Sequence, residues 1–409
     1  MSEIFTNNTL RTLILANLFS SVGKGMVLIG ISWNIVESTG TASPLGITIL
    51  FSTAIMILIG PYIGIYIDKY SRKKILLTAN FSGAVILSFF SLWGIFWGSY
   101  STSVLTIIYV VSMVIRQIYF PAQYALVQET FKPKKYQKIN SVLEVQNQVV
   151  KVMAGVFAVF ILVQYSLHTV FIITSITYLI AFLLLIPLKY SFTVNEDKKT
   201  KKNSYKELTK GLKFIINMKG FIIFGLSVFT PFVVFMVGNL LAPAFVNIDL
   251  QENVSVFSSG EITYALGAVL AGILVTRILT KICKFTFLIT NITLFSISLI
   301  GMVLILKGWA FVLVYLFMGW TVSSTRLISQ TIFMEIVPKN LMGRVMITLD
   351  LLSLVIRVIL IAIFTISIDI VGAGSGYLIL SVLLFGAAMG ISYSVKHIKE
   401  AVENIKEAA

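Results

Sequence analysis

The feature that most constrains this chain is a series of twelve long apolar segments. A helix needs about 20 apolar residues to cross a hydrocarbon core of about 30 Å. Only 12 % of the 409 residues are charged, against about a quarter in soluble domains. The sequence therefore predicts an all-α integral membrane protein with twelve transmembrane helices. The segments are residues 10–36, 43–67, 75–97, 103–128, 139–163, 167–188, 221–246, 254–279, 285–306, 309–334, 345–368 and 374–395.

The basic residues outside the apolar cores predict how the chain crosses the membrane. With a cytoplasmic N-terminus, 26 of the 32 Lys and Arg residues fall in cytoplasmic segments, and only Lys307 falls in an outer loop. Cytoplasmic loops carry such an excess of Lys and Arg. We therefore expect a multi-pass protein of the plasma membrane with both termini in the cytoplasm. The formal charge of +15 then sets the topology and does not indicate a nucleic-acid partner.

The chain divides into two similar halves. The longest polar stretch separates the predicted helices six and six. Charged residues within spans are rare, so several matches of the same sign at one sequence offset indicate that the two halves are repeats. Such repeats would lie around an axis normal to the membrane. At an offset of 206 residues the matched pairs are Glu129 and Glu335, Glu144 and Asp350, and Lys151 and Arg357. The predicted domains are an N-terminal six-helix bundle (1–188), a cytoplasmic linker (189–220), a C-terminal six-helix bundle (221–396) and a cytoplasmic tail (397–409).

A charged motif follows the second apolar segment: Gly64-Ile-Tyr-Ile-Asp68-Lys69-Tyr-Ser-Arg72-Lys73. It resembles the signature G-x-x-x-D-[RK]-x-x-R-[RK] of the major facilitator superfamily, specifically its drug-efflux branches. The resemblance implies the major facilitator fold, in which two six-helix bundles rock against each other to move a solute.

Other segments resemble one branch of that family. Ser43-Pro44-Leu45-Gly46 in the first outer loop and Pro121-Ala122 in the fourth segment are similar to macrolide-efflux and siderophore-export proteins. The resemblance is strongest over residues 10–160 and weak over the second half. One departure is Lys24 after Gly23, where that branch usually carries an acid or a small polar residue.

The basic residues of the motif can pair with a carboxylate at an adjacent helix end, and Glu129 is the candidate. Such a cluster would close the cytoplasmic side until the two halves move apart. The alternative is that these charges only anchor the topology. The predicted cytoplasmic gate comprises Gly64, Asp68, Lys69, Arg72, Lys73 and Glu129.

Eight charged residues lie inside the predicted spans and away from the span ends, where each costs about 2.5–3.5 kcal/mol on insertion scales and is a functional candidate. One interpretation is a positively charged cavity that binds an anionic or zwitterionic substrate and exchanges protons at an acid. The other is a set of buried ion pairs that hold the bundle together. The bases are Lys24, Arg116, Lys151, Arg326 and Arg357, and the acids are Glu144, Glu261 and Asp350. Two acid–base pairs, seven residues apart on single helices, share a helix face.

Small residues four positions apart let helices approach closely. The chain carries three such pairs: Gly60 and Gly64, Ala268 and Gly272, and Gly386 and Gly390.

Several chemistries are poorly supported. The chain lacks the G-x-x-x-x-G-K-[ST] motif of ATP binding and the H-E-x-x-H and G-x-S-x-G motifs of hydrolases. Two His and one Cys are too few to favour a His/Cys metal site. We expect no enzymatic activity, no cofactor and no metal.

These observations, with the resemblance, predict a secondary transporter in the lipid bilayer. It would export a small amphipathic compound, an antibiotic or a siderophore-like metabolite, in exchange for protons, and a monomer suffices for this. The alternatives are an importer or lipid flippase of the same fold, and a ligand sensor that does not transport.

Overall fold

The structure is a computed structural model that describes residues 8–131, 136–188, 190, 216, 218, 220–337 and 341–407. These residues contain twelve long α-helices and no β-strand. All twelve helices are long and apolar enough to cross a membrane. The prediction of an all-α membrane protein with twelve spanning helices is confirmed.

The helices, numbered in chain order, follow the predicted spans closely. In the first half they are α1 (Asn8–Thr39), α2 (Ser43–Lys69), α3 (Arg72–Trp97), α4 (Thr102–Thr130), α5 (Tyr136–Gln164) and α6 (Leu167–Leu185). In the second half they are α7 (Phe221–Ala244), α8 (Val254–Ile278), α9 (Lys284–Ile305), α10 (Gly308–Ile336), α11 (Met342–Val371) and α12 (Ala373–Glu407).

The largest departure from the predicted bounds is the end of α12. The apolar segment was expected to end at residue 395, but the helix continues to Glu407. Half of the added residues, from Lys396 to Glu407, are charged, and most of them are good helix formers. Hydropathy detects the part of a helix that lies in lipid, and it does not detect a polar extension of the same helix.

Short polar connections end the helices of the first half. Gly98 ends α3 in the left-handed region, with φ 73°, and its N–H donates to the Gly94 carbonyl. Glycine adopts this conformation without a Cβ clash. Ser101 then caps α4, because its Oγ accepts a hydrogen bond from the Val104 N–H. Only four residues therefore separate the two helices.

In the second half, α7 ends in a π-helical turn, Phe245–Asp249. The Asp249 Oδ2 accepts a hydrogen bond of 2.7 Å from the Gly374 N–H in the first turn of α12. A carboxylate at a helix N-terminus satisfies an unpaired backbone donor and interacts favourably with the helix dipole. This contact joins the end of α7 to the start of α12.

Contacts divide the described residues into two compact units. The division falls at residues 196 and 197, except that residues 253–262, the start of α8, group with the first unit. The predicted linker, residues 189–220, lies almost entirely outside the described residues.

Glycine contacts bring α8 and α10 together in the second unit. A Cβ on Gly267 would lie 1.9 Å from the Leu316 carbonyl oxygen, and one on Gly319 would lie 1.9 Å from the Tyr264 carbonyl oxygen. Each glycine thus faces the backbone of the other helix, which any side chain would push away. The expected use of Gly272 in close packing is wrong, because nothing lies within 4 Å of a Cβ there. The contact face of α8 passes through Gly267 instead.

The other small-residue pairs differ from one another. A Cβ on Gly390 would lie 2.4 Å from the Ser227 Oγ of α7, whereas one on Gly386 meets open space. On Gly60 it would lie 3.4 Å from the Gln117 amide nitrogen. In α12 only Gly390 of the pair therefore serves close packing, and the surroundings of Gly64 lie outside the described residues.

Replacing Gly267 by Ala tests the α8–α10 contact. The added methyl group must displace backbone atoms, and overpacking of this kind costs about 1–3 kcal/mol. We expect a melting temperature several degrees lower for the purified protein in detergent. Gly272→Ala, on the same helix, is the matched control and should melt no lower than the parent, since alanine favours helix. Equal melting temperatures for the two variants would contradict the assignment.

Candidate functional site

Two cations lie against one aromatic ring in the first unit. The Lys24 ammonium of α1 is 5.2 Å from the ring centroid of Phe120 and 5.4 Å from that of Tyr119. The Arg116 guanidinium carbon of α4 lies 5.8 Å from the Phe120 centroid. Cations within about 6 Å of a ring face are attracted by its quadrupole. Lys24 and Arg116, two separate candidates in the sequence, thus both contact the ring of Phe120.

Lys24 is enclosed by protein while Arg116 is accessible. The Lys24 residue is only 4 % exposed, and its Nζ has no hydrogen-bond partner among the described residues. Arg116 keeps an exposed side chain. A buried ammonium without an acceptor carries a large desolvation cost. This position therefore favours an acceptor or an anion that would bind there.

The α1 face that carries Lys24 continues as a polar stripe. Asn17, Ser20 and Lys24 are three and four residues apart, so they lie on one side of the helix. All three are buried, and the Asn17 Nδ2 and the Ser20 Oγ also lack hydrogen-bond partners in the described chain. Unsatisfied buried polar atoms are uncommon in native structures and mark places where water or a ligand binds. Asn17 and Ser20 do not stand out in the sequence, because neutral polar residues are common in helices.

A second site forms in the other unit, where α7 faces α11. A pocket of about 190 Å³ is lined by Asp350, Ser353 and Arg357 of α11 and by Phe232 and Val233 of α7, together with Leu354. The Ser353 hydroxyl donates to the Asp350 backbone carbonyl at 2.8 Å. The structure thus brings Asp350 and Arg357 to the wall of one pocket.

Charges from other helices act on the intramembrane acids. The Arg326 guanidinium of α10 interacts electrostatically with Asp350. In the first unit, Lys151 of α5 interacts with Glu261. Lys151 therefore has an acidic neighbour outside its own helix. The side chain of Glu144, the acid expected to share its helix face, lies outside the described residues.

An ion pair joins the start of α3 to the end of α4. Arg72 Nη2 lies 3.0 Å from Glu129 Oε1, and the Tyr190 hydroxyl donates to the same carboxylate. Burial and this hydrogen bond raise the pKa of Tyr190, so the phenol remains a donor. The structure thus selects Arg72 as the partner of Glu129.

The neighbouring bases of the motif have other contacts. Lys73 Nζ donates to the carbonyls of Ile186 and Leu188, at 2.7 and 2.8 Å, and so satisfies backbone acceptors after α6. Lys69 Nζ lies 5.5 Å from the Tyr70 ring centroid. The surroundings of Gly64 and the side chain of Asp68 lie outside what the structure describes.

The second unit repeats the ion pair. Lys284 at the start of α9 bonds Glu335 near the end of α10 at 2.5 Å. Arg72 and Lys284 both begin the third helix of a half, and Glu129 and Glu335 both lie near the end of the fourth. The offset of 206 residues identifies the two glutamates, but the bases are 212 residues apart, so a single offset did not reveal Lys284.

The repeat allows a matched test of the two ion pairs. The Arg72 and Glu129 side chains are 10 and 25 % exposed, whereas those of Lys284 and Glu335 are 36 and 37 % exposed. Exposed pairs contribute about 0–1 kcal/mol, and more enclosed, hydrogen-bonded groups contribute more. We expect Glu129→Gln to lower the melting temperature of the purified protein by several degrees and Glu335→Gln by at most one or two. A larger effect at Glu335 would contradict this ranking.

The comparisons with known proteins agree with this architecture. The family model of the Major Facilitator Superfamily matches residues 13–353. No curated protein matches the chain significantly. Three crystal structures are similar: a point mutant of the nucleoside transporter NupG, an inward-facing bacterial homologue of the iron transporter ferroportin, and a D-xylose-proton symporter.

The likeness to these structures extends over the whole fold at low sequence identity. The nucleoside transporter mutant has TM-score 0.72 and 12 % identity, and the alignment covers 95 % of this chain and 100 % of that one. The ferroportin homologue has TM-score 0.67 and 13 % identity, with coverages of 96 and 98 %. The symporter has TM-score 0.65 and 13 % identity, with coverages of 93 and 96 %. The fold and the family model point to a multi-pass membrane transporter rather than an enzyme. The chain belongs to the Major Facilitator Superfamily.

Proposed function

We propose that this secondary transporter exports a small anionic or zwitterionic amphipathic compound in exchange for protons. Its two six-helix bundles would give alternating access across the plasma membrane, with both termini in the cytoplasm and a monomer as the working unit. The observation that carries the proposal is the buried Lys24 ammonium, which has no hydrogen-bond partner in the described part of the chain.

The charge around Lys24 favours an anion. Arg116 lies against the same Phe120 ring, so two positive groups share a small volume. A bound carboxylate would supply the missing acceptor and offset the repulsion between the two bases. A lipophilic cation would meet two like charges at this position. A carboxylate-bearing metabolite of the siderophore type therefore fits better than a cationic drug.

Aromatic and neutral polar groups suit the rest of such a compound. The rings of Tyr119 and Phe120 offer apolar contact beside the two cations. Asn17 and Ser20 offer hydrogen-bonding groups further along α1. An amphipathic anion could place its charged end at Lys24 and its apolar part on the rings.

The intramembrane acids are the candidates for proton exchange. We assign this role to Asp350, which shares a pocket with Arg357, and to Glu261 and Glu144. A carboxylate near a base can pair with that base when ionised and release it when protonated. Proton binding can thereby change which groups are free to bind substrate.

The ion pairs at the helix ends are assigned to the cytoplasmic gate. Arg72 and Glu129 link α3 to α4, and Lys284 and Glu335 link α9 to α10. Within each half they hold two helices at the end that the basic loops predict to be cytoplasmic. Together with Gly64, Asp68, Lys69 and Lys73 they would keep this side closed until the bundles move.

Inside-out vesicles with an acid interior test the direction and the charge preference. With carboxyfluorescein as the anionic probe and ethidium as the cationic one, we expect proton-driven accumulation of carboxyfluorescein only. An importer of the same fold would release the anion, and a sensor would move neither probe. Accumulation of ethidium alone would overturn the anionic assignment.

The role of the two cations is tested in the same vesicles. Lys24→Met and Arg116→Met remove the charge, and we expect each to lower the uptake rate of carboxyfluorescein at least tenfold at equal protein content. Lys307→Met, in a connection between two helices, is the control and should transport normally. Unchanged uptake by both variants would contradict the proposal.

Neutralising Asp350 separates coupling from binding. A group needed only for proton exchange is not required when labelled substrate exchanges for unlabelled substrate without a gradient. We expect Asp350→Asn to abolish accumulation driven by the pH gradient and to keep counterflow of the same probe. Glu252→Gln, which alters an exposed acid in the connection between α7 and α8, serves as control. Loss of counterflow together with accumulation would instead indicate a structural or substrate-binding role.

A further inference from the structure

A long groove lies between α3 and α4, on the first unit and separate from the cationic site. It has a volume of about 370 Å³, and Tyr66 of α2 lies at one end. Its α3 wall extends from Ile75 to Ile86, and its α4 wall from Val111 to Ile118. The eleven helical steps from Ile75 to Ile86 measure about 16 Å. One leaflet of hydrocarbon, half of a core of about 30 Å, has nearly the same depth.

The lining of the groove is largely apolar. Two hydroxyls line it, but the Thr78 Oγ1 donates to the Ile75 carbonyl and the Ser82 Oγ donates to the Ala79 carbonyl. Their protons are therefore already used within α3. The remaining lining is aliphatic apart from Tyr66. Such a surface suits a hydrocarbon chain and offers little to a polar solute.

Two lysines lie at the Tyr66 end of the groove. Lys69 is one turn beyond Tyr66 on α2, and Lys74 is one turn before Thr78 on α3, so each continues a helix face that lines the groove. Both side chains are exposed. Neither makes an ion pair with an acid that the structure describes, whereas Arg72 is paired with Glu129.

Tyrosines accompany the two lysines. The rings of Tyr66 and Tyr70 lie 4.9 Å apart, both are well exposed, and Lys69 lies over Tyr70. Tyrosine is enriched at the level of lipid headgroups. One end of the groove thus has the character of the membrane interface, and the rest has that of the hydrocarbon core.

We propose that this groove binds an anionic phospholipid. One acyl chain lies between α3 and α4, and the phosphate lies at Lys69 and Lys74. The two cations, which have no acidic partner among the described residues, are complementary to this headgroup, and the length of the groove matches the depth of one leaflet. A helix from a second copy of the chain would be about 10–12 Å wide and would bring no phosphate to the lysines. Lipid binding in this groove does not depend on what the protein transports.

Native mass spectrometry of the purified full-length protein in detergent tests the proposal. The probes are phosphatidylglycerol and phosphatidylcholine with identical acyl chains, added after delipidation. We expect one saturable phosphatidylglycerol molecule per chain and weaker binding of phosphatidylcholine. The double variant Lys69→Gln/Lys74→Gln should bind phosphatidylglycerol about 30-fold more weakly, since each basic residue near the surface contributes about fivefold.

The apolar part of the site is tested separately. Ser82→Phe fills the groove from its open side and should lower the binding of both lipids. Val85→Phe changes an exposed residue of α3 that does not line the groove, and Lys281→Gln/Lys396→Gln removes two exposed lysines elsewhere. Both control variants should bind as the parent does.

Three results would overturn the proposal. Equal, unsaturable binding of the two lipids would show ordinary surrounding lipid only. An equal loss of phosphatidylglycerol in the Lys281→Gln/Lys396→Gln control would show a general effect of charge. A dimer that Ser82→Phe dissociates would show that a second copy occupies the groove.

Discussion

The structure depends on one constraint, which is that hydrocarbon offers no hydrogen-bond partner to the backbone. Each segment that crosses the membrane must satisfy its own N–H and C=O groups, and a helix does so along its length. Side chains inside the bundles face the same condition. The Asn80 amide nitrogen donates to the Leu76 carbonyl, and hydroxyls such as those of Ser112 and Thr130 donate to the preceding turn. The Lys24 ammonium is an exception, as are the Asn17 amide nitrogen and the Ser20 hydroxyl on the same face of α1, and of these three groups only Lys24 carries a charge.

The same constraint explains why the sequence predicted the number and position of the helices so well. Lipid requires a long apolar segment for every crossing, so hydropathy alone located all twelve. The sequence did not predict features that the membrane does not impose. The polar end of α12 continues to Glu407 because its residues favour helix, and the close face of α8 passes through Gly267 rather than Gly272. Small residues are frequent on several faces of α8, and the face that packs closely is known only once the position of α10 is known.

The charged residues were found from the sequence, but their partners were not, apart from Glu129, which the sequence named as the acid for the bases of the motif. A charged residue inside an apolar span is easy to recognise because such residues are rare there. Its partner depends on how helices from distant parts of the chain pack. Arg72 and Lys73 are adjacent, yet one bonds Glu129 and the other bonds carbonyls after α6. Lys151 acts on Glu261, which is 110 residues away. Motif spacing carries no information on contacts of this range.

The two units place similar elements in similar positions but use their interior charges differently. The helix-end ion pairs repeat, Arg72 with Glu129 and Lys284 with Glu335, which is what a shared scaffold requires. The interior does not repeat: α1 carries the buried Lys24, whereas α7 contributes Phe232 and Val233 to a pocket that contains both an acid and a base. A carboxylate substrate and a proton have opposite charge and need different receiving groups. With a carboxylate at Lys24 and a proton at Asp350, as proposed, the two would bind in different units of one scaffold.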